Sequence, residues 1–176
     1  MIDIRNERVN KMGVVNEKSE MPLHSGEIYH LWSHLLKAKQ DLVTIQIFIN
    51  HTGDKDLKAL LEDFLENSVK YEEEQTESIL SQNGIRLPPA PPARPEVNLQ
   101  DIPAGARFNE PEIAHLVLRE ISIGKMECSF IIGLAHRVDL IEMFDEFHGL
   151  KMEYSDKLLT LSKEKGWLTD PPILLK

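Results

Sequence analysis

The chain has 176 residues, 41% of them hydrophobic and 28% charged, with a formal net charge of −9. That length suits one domain around one sizeable core, and the composition excludes a disordered or a membrane-embedded chain. The acidic balance argues against nucleic acid and anionic membranes as partners, no apolar run approaches the ~18 residues of a spanning helix, and the N-terminus MIDIRNERVNK has no apolar signal core.

Residues 1–24 mix charges without helical periodicity and read as an N-terminal tail or arm, leaving 25–176 as a single bundle domain. A first helix is predicted over 25–51, with Ser25 as N-cap, Glu27 in its first turn and Gly53 as its stop. Leu31, Leu35, Leu42, Ile45 and Ile49 keep helical spacing along it. Asp54 caps a second helix over 54–82, whose inward line runs through Leu57, Leu61, Phe64, Ser68, Glu72, Gln75 and Ile79, and Asn83–Gly84 end it.

The segment 84–108 contains Pro88, Pro89, Pro91, Pro92, Pro95 and Pro103, so no helix runs through it. Extended at ~3.1 Å per residue it can cover ~60 Å, more than the ~40 Å of a 27-residue helix. A structureless connection this long makes sense as the crossover of a ferritin-like antiparallel four-helix bundle. Its apolar residues Ile85, Leu87, Val97, Leu99 and Ile102 are expected to cover a groove between helices.

Asn109 with Glu112 forms a capping box that opens a third helix over 110–136. Ile113, Val117, Ile121, Gly124, Cys128 and Ile131 form its core line. A break is placed at His136–Val138, and Asp139 with Glu142 is read as a second capping box that starts a fourth helix over 139–165. Gly166 ends it, Trp167 packs back on its last turn, and Pro171 and Pro172 prevent continuation. Cys128, the single cysteine, excludes an intrachain disulfide, reads as a small core residue and fits a reducing, cytoplasmic setting.

Three strings imitate the Glu-x-x-His ligand motif of helical di-iron proteins: Glu27–His30, Glu112–His115 and Asp145–His148. Glu27 and Glu112 fall in first turns, where an acid serves as cap, and the first and third helices start at opposite ends of the bundle. A stricter test is which ionisable residues fall near the inward faces. His34, Glu72, Glu127 and His148, one per helix, come to one level, with Lys151 about one turn further and Glu120 one heptad before Glu127. Two histidines and two glutamates can hold a divalent transition metal such as Fe, Zn or Mn. The alternative is a structural polar belt without cofactor, in which Lys151 pairs with Glu120 or Glu127, and His34 or His148 with Glu127. No phosphate loop, zinc cysteine cluster or nucleophile motif occurs, so no catalytic residue is assigned.

Ile45, Ile47, Phe48 and Ile49 cover a wide apolar arc of the first helix, so Ile47 or Phe48 is expected to meet the crossover, the tail or a second chain, and a homodimer is expected.

Five stretches together resemble a known family: Glu27 through Leu31-Trp32; Gly84-Ile85-Arg86-Leu87-Pro88-Pro89; Ile102-Pro103-Ala104-Gly105-Ala106-Arg107-Phe108 ahead of Glu112-Ile113-Ala114; Cys128 with His136-Arg137-Val138-Asp139; and Lys163-Glu164-Lys165-Gly166-Trp167-Leu168 running into Pro171-Pro172. The chain resembles the spore coat protein F-like family of uncharacterised ferritin-like proteins from endospore-forming bacilli, from about residue 20 onward. The resemblance implies a ferritin-like bundle, a spore-coat role assembled in the mother cell, and other coat proteins as partners. It carries over no catalytic residue, and the ligand pattern departs from the di-iron one because the second helix lacks a Glu-x-x-His pair.

Overall fold

A computed structural model describes residues 21–169 and Pro172. Among them the chain is helical and has no strand. The helices are α1 (Ser25–His51), α2 (Lys55–Phe64), α3 (Lys70–Gln82), α4 (Glu110–Leu134) and α5 (Val138–Glu164). A single π-helical turn, Leu65–Val69, joins α2 to α3, so the two form one continuous rod and the chain makes four rods. The uninterrupted second helix expected over 54–82 therefore carries one extra residue in a widened turn at its middle.

Neighbouring rods run antiparallel, as their cross-contacts show. Lys165 meets Asp54 and Asp56 at one end, Tyr154 bonds Asp63, and Lys151 bonds Glu72, so α5 runs against α2–α3. Glu27 meets His136, and Gly53 meets Glu110, so α1 runs against α4. The core forms two apolar clusters. One, at the α1 C-terminal end, includes Phe48, Leu57, Leu61, Ile113, Val117 and Leu158, with Trp167 packed against it as expected. The other, at the α1 N-terminal end, includes Leu31, Leu35, Leu80, Cys128, Phe144 and Phe147. Burial pushes the Cys128 thiol up to about 12, so this cysteine is an inert core residue.

The proline-rich segment from residue 84 to 108 lies along α1 and takes many of its hydrogen bonds there; others close two short 3-10 turns within it, Leu99–Asp101 and Ala104–Ala106. Trp32 Nε1 donates to the Arg86 carbonyl (3.0 Å), Asn50 Nδ2 to the Pro95 carbonyl (2.9 Å), and Gln46 accepts from Arg94 N (3.0 Å). His51 Nδ1 accepts from Phe108 N (3.1 Å) at the far end. An extended chain with few donors has no ladder of its own, so side chains of a packed helix must satisfy it. Ile85 and Leu87 pack on the second apolar cluster. Ile47 lines a hollow with Pro95, Val97 and Ile102, and the Phe48 ring meets Phe108 edge-on. Val97 departs from expectation, since 38% of it stays exposed.

Several boundaries differ from the sequence reading. The N-cap of α1 is His24, not Ser25: its Nδ1 accepts from Gly26 N and Glu27 N, a role an imidazole fills when its second nitrogen carries the proton. Thr52 in extended conformation, not Gly53, ends α1, and left-handed backbone occurs at Gly84 (φ 71°) and Gly166 (φ 70°), the two helix-ending glycines where a side chain would be strained. The third helix stops at Leu134, two residues early, and α5 is capped by Arg137 without a side-chain bond. Asp139 is already helical and is taken up by the Arg137 guanidinium (2.5 and 3.0 Å), which removes it from capping. The expected tail lies mainly in residues 1–20, and Pro171 follows the same rule: both lie outside the described residues.

The α4–α5 break is held from across the bundle. Buried Glu27 accepts from His24 N through Oε2 (3.0 Å) and from His136 N and Arg137 N through Oε1 (2.9 and 3.1 Å). Burial opposes its ionisation, but those three backbone donors outweigh it and hold the carboxyl below its usual range. Glu27→Ala leaves these donors stranded and is expected to destabilise the fold by about 2–4 kcal/mol, read as a lower midpoint in urea unfolding.

Candidate functional site

Each rod contributes one ionisable residue to a layer between the two apolar clusters: His34 from α1, Glu72 from α3, Glu127 from α4 and Lys151 from α5. Lys151 Nζ donates to both oxygens of Glu72, at 2.5 and 2.6 Å, and both side chains are buried. Ser68, in the π-helical turn one turn before Glu72, donates its hydroxyl to Oε1 (3.1 Å). Gly124 makes the lysine's path possible. A Cβ there would lie 2.7 Å from Lys151 Cε and 3.0 Å from Cδ, closer than atoms can pack.

His34 lies on the other side of Glu72. Its Nε2 is 3.4 Å from Glu72 Oε2 and its Nδ1 is 3.6 Å from Glu127 Oε1. These are charge–charge approaches rather than hydrogen bonds, and both ring nitrogens and Glu127 Oε2 lack a hydrogen-bond partner among the described residues. The ring is stacked on Phe147 (5.7 Å between centroids, 11° between planes) and meets Phe144 edge-on, which holds its direction. Beside the layer lies a cavity of about 20 Å³, room for roughly one water.

The electrostatics balance within the layer. Burial disfavours the Glu72 anion, but the Lys151 ammonium and His34 overcome it and hold the carboxyl down at about 2. Burial likewise opposes a charged His34, but the Glu127 and Glu72 carboxylates outweigh it and raise the imidazole above its ordinary 6.5. His34 in turn holds Glu127 below the usual carboxylate range against its own burial. With the imidazole protonated, two cations face two anions, and no net charge is left inside the bundle. A second pair, Lys37 with Asp41 (2.5 Å), stands next along the α1–α4 side.

Of the residues expected at one level, the fold brings together His34, Glu72 and Glu127. His148 is half-buried on the flank of α5 and joins none of these contacts among the described residues. Lys151 pairs with Glu72, not with Glu120 or Glu127, because its long stem crosses the core through the gap at Gly124. Glu120 is half-buried beside Arg119 (3.4 Å), about 10 Å along the helix from Glu127 and beyond this layer. Glu112 caps α4, accepting from Asn109 N (2.9 Å), and His115 is exposed. Among the described residues no group of three or more His, Cys, Asp or Glu side chains is arranged to hold a metal ion. Sequence reasoning missed the π-helical turn that aims Ser68, and the buried Lys39, which reaches Glu77 (2.7 Å) and the Pro88 carbonyl (3.4 Å). Lys39 was detectable as a lysine seven residues from Trp32, on the stripe of α1 that meets the crossover.

Lys151→Met strands the Glu72 carboxylate and is expected to lower stability by about 3–5 kcal/mol, with most of the loss recovered in the Lys151→Met/Glu72→Gln double variant. The two shifted groups also set a pH window. Glu72, whose folded value is depressed, stabilises fully above pH 4.5 and loses that contribution as pH falls toward about 2. His34, whose folded value is raised, stabilises fully below pH 6.5 and loses its contribution as pH rises through the folded value. Urea midpoints are therefore expected to be highest between these limits and to decline on the alkaline side, and His34→Gln is expected to abolish the alkaline decline.

Over residues 12–176 the chain matches the sequence model of the family described as "Protein of unknown function (DUF3231)". It is 39% identical over 166 residues to the uncharacterized protein YvdQ of Bacillus subtilis (strain 168), covering 94% of this chain and 97% of that protein. Among solved structures it is similar to a protein from Bacillus halodurans C-125 described as a "putative spore coat protein", with a TM-score of 0.86, 43% identity, and 89% of this chain and 98% of that one covered.

Proposed function

We propose, from the premise that this chain belongs to the DUF3231 family, that it is a structural and interaction protein of the spore coat without catalytic activity. In this reading it is made in the mother-cell cytoplasm, works as a homodimer and contacts other coat proteins. The observation that carries the spore-coat reading is its likeness, at 43% identity across nearly the whole described bundle, to the Bacillus halodurans protein described as a "putative spore coat protein". The buried layer supports it. A buried carboxylate with an ammonium on both oxygens, held down at about 2, is a poor proton acceptor, so Glu72 suits a register-setting strut better than a general base. We read the bundle as ferritin-like, on the strength of four rods and a long connection between the second and third. A fluorescent fusion expressed in sporulating Bacillus cells is expected to encircle the forespore and stay in the coat fraction of purified spores. Signal that remains diffuse in the mother cell, with none in that fraction, refutes the reading.

A second reading is a metal-binding ferritin-like protein, an oxidoreductase by class, holding a divalent Fe, Zn or Mn ion at His34, Glu72, Glu127 and His148. The unpartnered nitrogens of fully buried His34 favour it. Against it, the Lys151 ammonium stands on the carboxylate such a cation would need. Elemental analysis of protein purified without chelators discriminates the two: the structural reading expects no stoichiometric transition metal, whereas one that is lost on His148→Ala establishes the second.

A further inference from the structure

We infer that the outer face of α4, together with the mouth of its groove with α1, docks a second copy of this chain. The inference rests on the homodimer in the proposed function and assigns it a surface. Ile123 (46% exposed), Met126 (73%), Phe130 (59%) and Leu134 (44%) recur at steps of three, four and four residues, so they form one stripe along the solvent side of α4, ~16 Å long. Tyr29 of α1 (66%) widens it at one end, joined through the His30 ring, which meets both Tyr29 and Phe130.

The rest of that face carries no charge. Between Ser122 and Leu134 the other exposed positions are Ser122, Ser129 and Gly133. The two charged side chains in the stretch turn to the flanks, Lys125 to Ser155 Oγ (3.1 Å) and Glu127 to His34. Depletion of charge around exposed aromatic and methionine side chains is the composition of an interface core. At the widened end the face opens into an apolar pocket of about 320 Å³ between α1 and α4, lined by residues that include His30, Leu31, Ile131, Leu134 and Leu140.

Three features select a second copy as occupant. The five apolar side chains leave on the order of 600 Å² in water, at the top of the range for the largest patch of a typical monomer and most of the ~800 Å² that each partner of a stable dimer buries. Protruding rings and an apolar pocket lie on the same face, so a two-fold axis sets each copy's Phe130 and Met126 toward the other's pocket, the self-complementarity of an isologous dimer. A small ligand would fill the pocket and leave the stripe wet, and a net charge of −9 disfavours an anionic membrane.

Sedimentation velocity of the full chain at about 10 μM is expected to give twice the 20.2 kDa chain mass. Phe130→Glu, or Met126→Lys at the most exposed position, is expected to weaken the dimer at least about tenfold, and the two together to yield monomer with the wild-type helical circular dichroism and a cooperative unfolding transition. Ile47→Glu, on the crossover side of α1, is expected to leave the dimer in place. A monomeric wild type, whatever else covers the face, overturns the inference, as does a dimer that survives the folded double variant. Failure here with the fusion still in the coat refutes this surface alone, whereas loss of coat targeting with the dimer intact refutes the spore reading alone.

Discussion

The Glu72–Lys151 pair constrains the rest of this bundle. Its two members come from facing rods and are both buried, so each is tolerable only while the other is in place. Sliding one rod by a residue turns its side chains by about 100° and moves the lysine off the carboxylate. The apolar clusters above and below tolerate such slips far better, because leucines and phenylalanines repack without stranding a charge. Register is therefore held by the polar layer, while the two clusters supply the driving force for burial.

The π-helical turn and Gly124 belong to the same constraint. An α-helix with a regular apolar line toward the core has no reason to unwind; the extra residue in Leu65–Val69 lets Leu65, Ser68 and Val69 all be buried ahead of Glu72. On the facing rod a side chain at 124 would collide with the lysine stem. His34 completes the layer by placing one shared positive charge between two carboxylates, which is why its own protonation is stabilised despite complete burial.

The outside of the bundle is uneven for a related reason. Trp32, Lys39, Gln46 and Asn50 lie on one stripe of α1 and serve the proline-rich segment, whose other hydrogen bonds are mostly local, in two 3-10 turns and at Arg107. The opposite stripe of α1, with His30, His34, Lys37 and Asp41, faces α4, and among the described residues no such strap covers that side. The apolar face of α4 follows from this division: one flank of α1 is sealed by the chain's own crossover, and the flank shared with α4 is left with an open groove.

Much of the architecture was legible in the sequence because it rests on local rules. Prolines forbid a helix over 84–108, apolar spacing marks the four rods, and Gly84 and Gly166 end helices where left-handed backbone is needed. Periodicity also put His34, Glu72 and Glu127 at one depth, since rise per residue is the same in every helix. Which of those side chains meet was decided by tertiary structure alone. Wheel angles cannot say that Lys151 threads past Gly124 to Glu72 rather than to Glu120, that His148 stays on the flank, or that a π-helical turn shifts the second rod. Caps were legible where the partner is local, at Asp54, in the Asn109–Glu112 box and at Glu27, but Asp139 looks like an N-cap only until Arg137 takes its carboxylate, and nothing local says that Glu27 also holds His136, 109 residues away. Local sequence determines which elements form; the partner of a long, flexible charged side chain depends on what the folded neighbours leave within its reach.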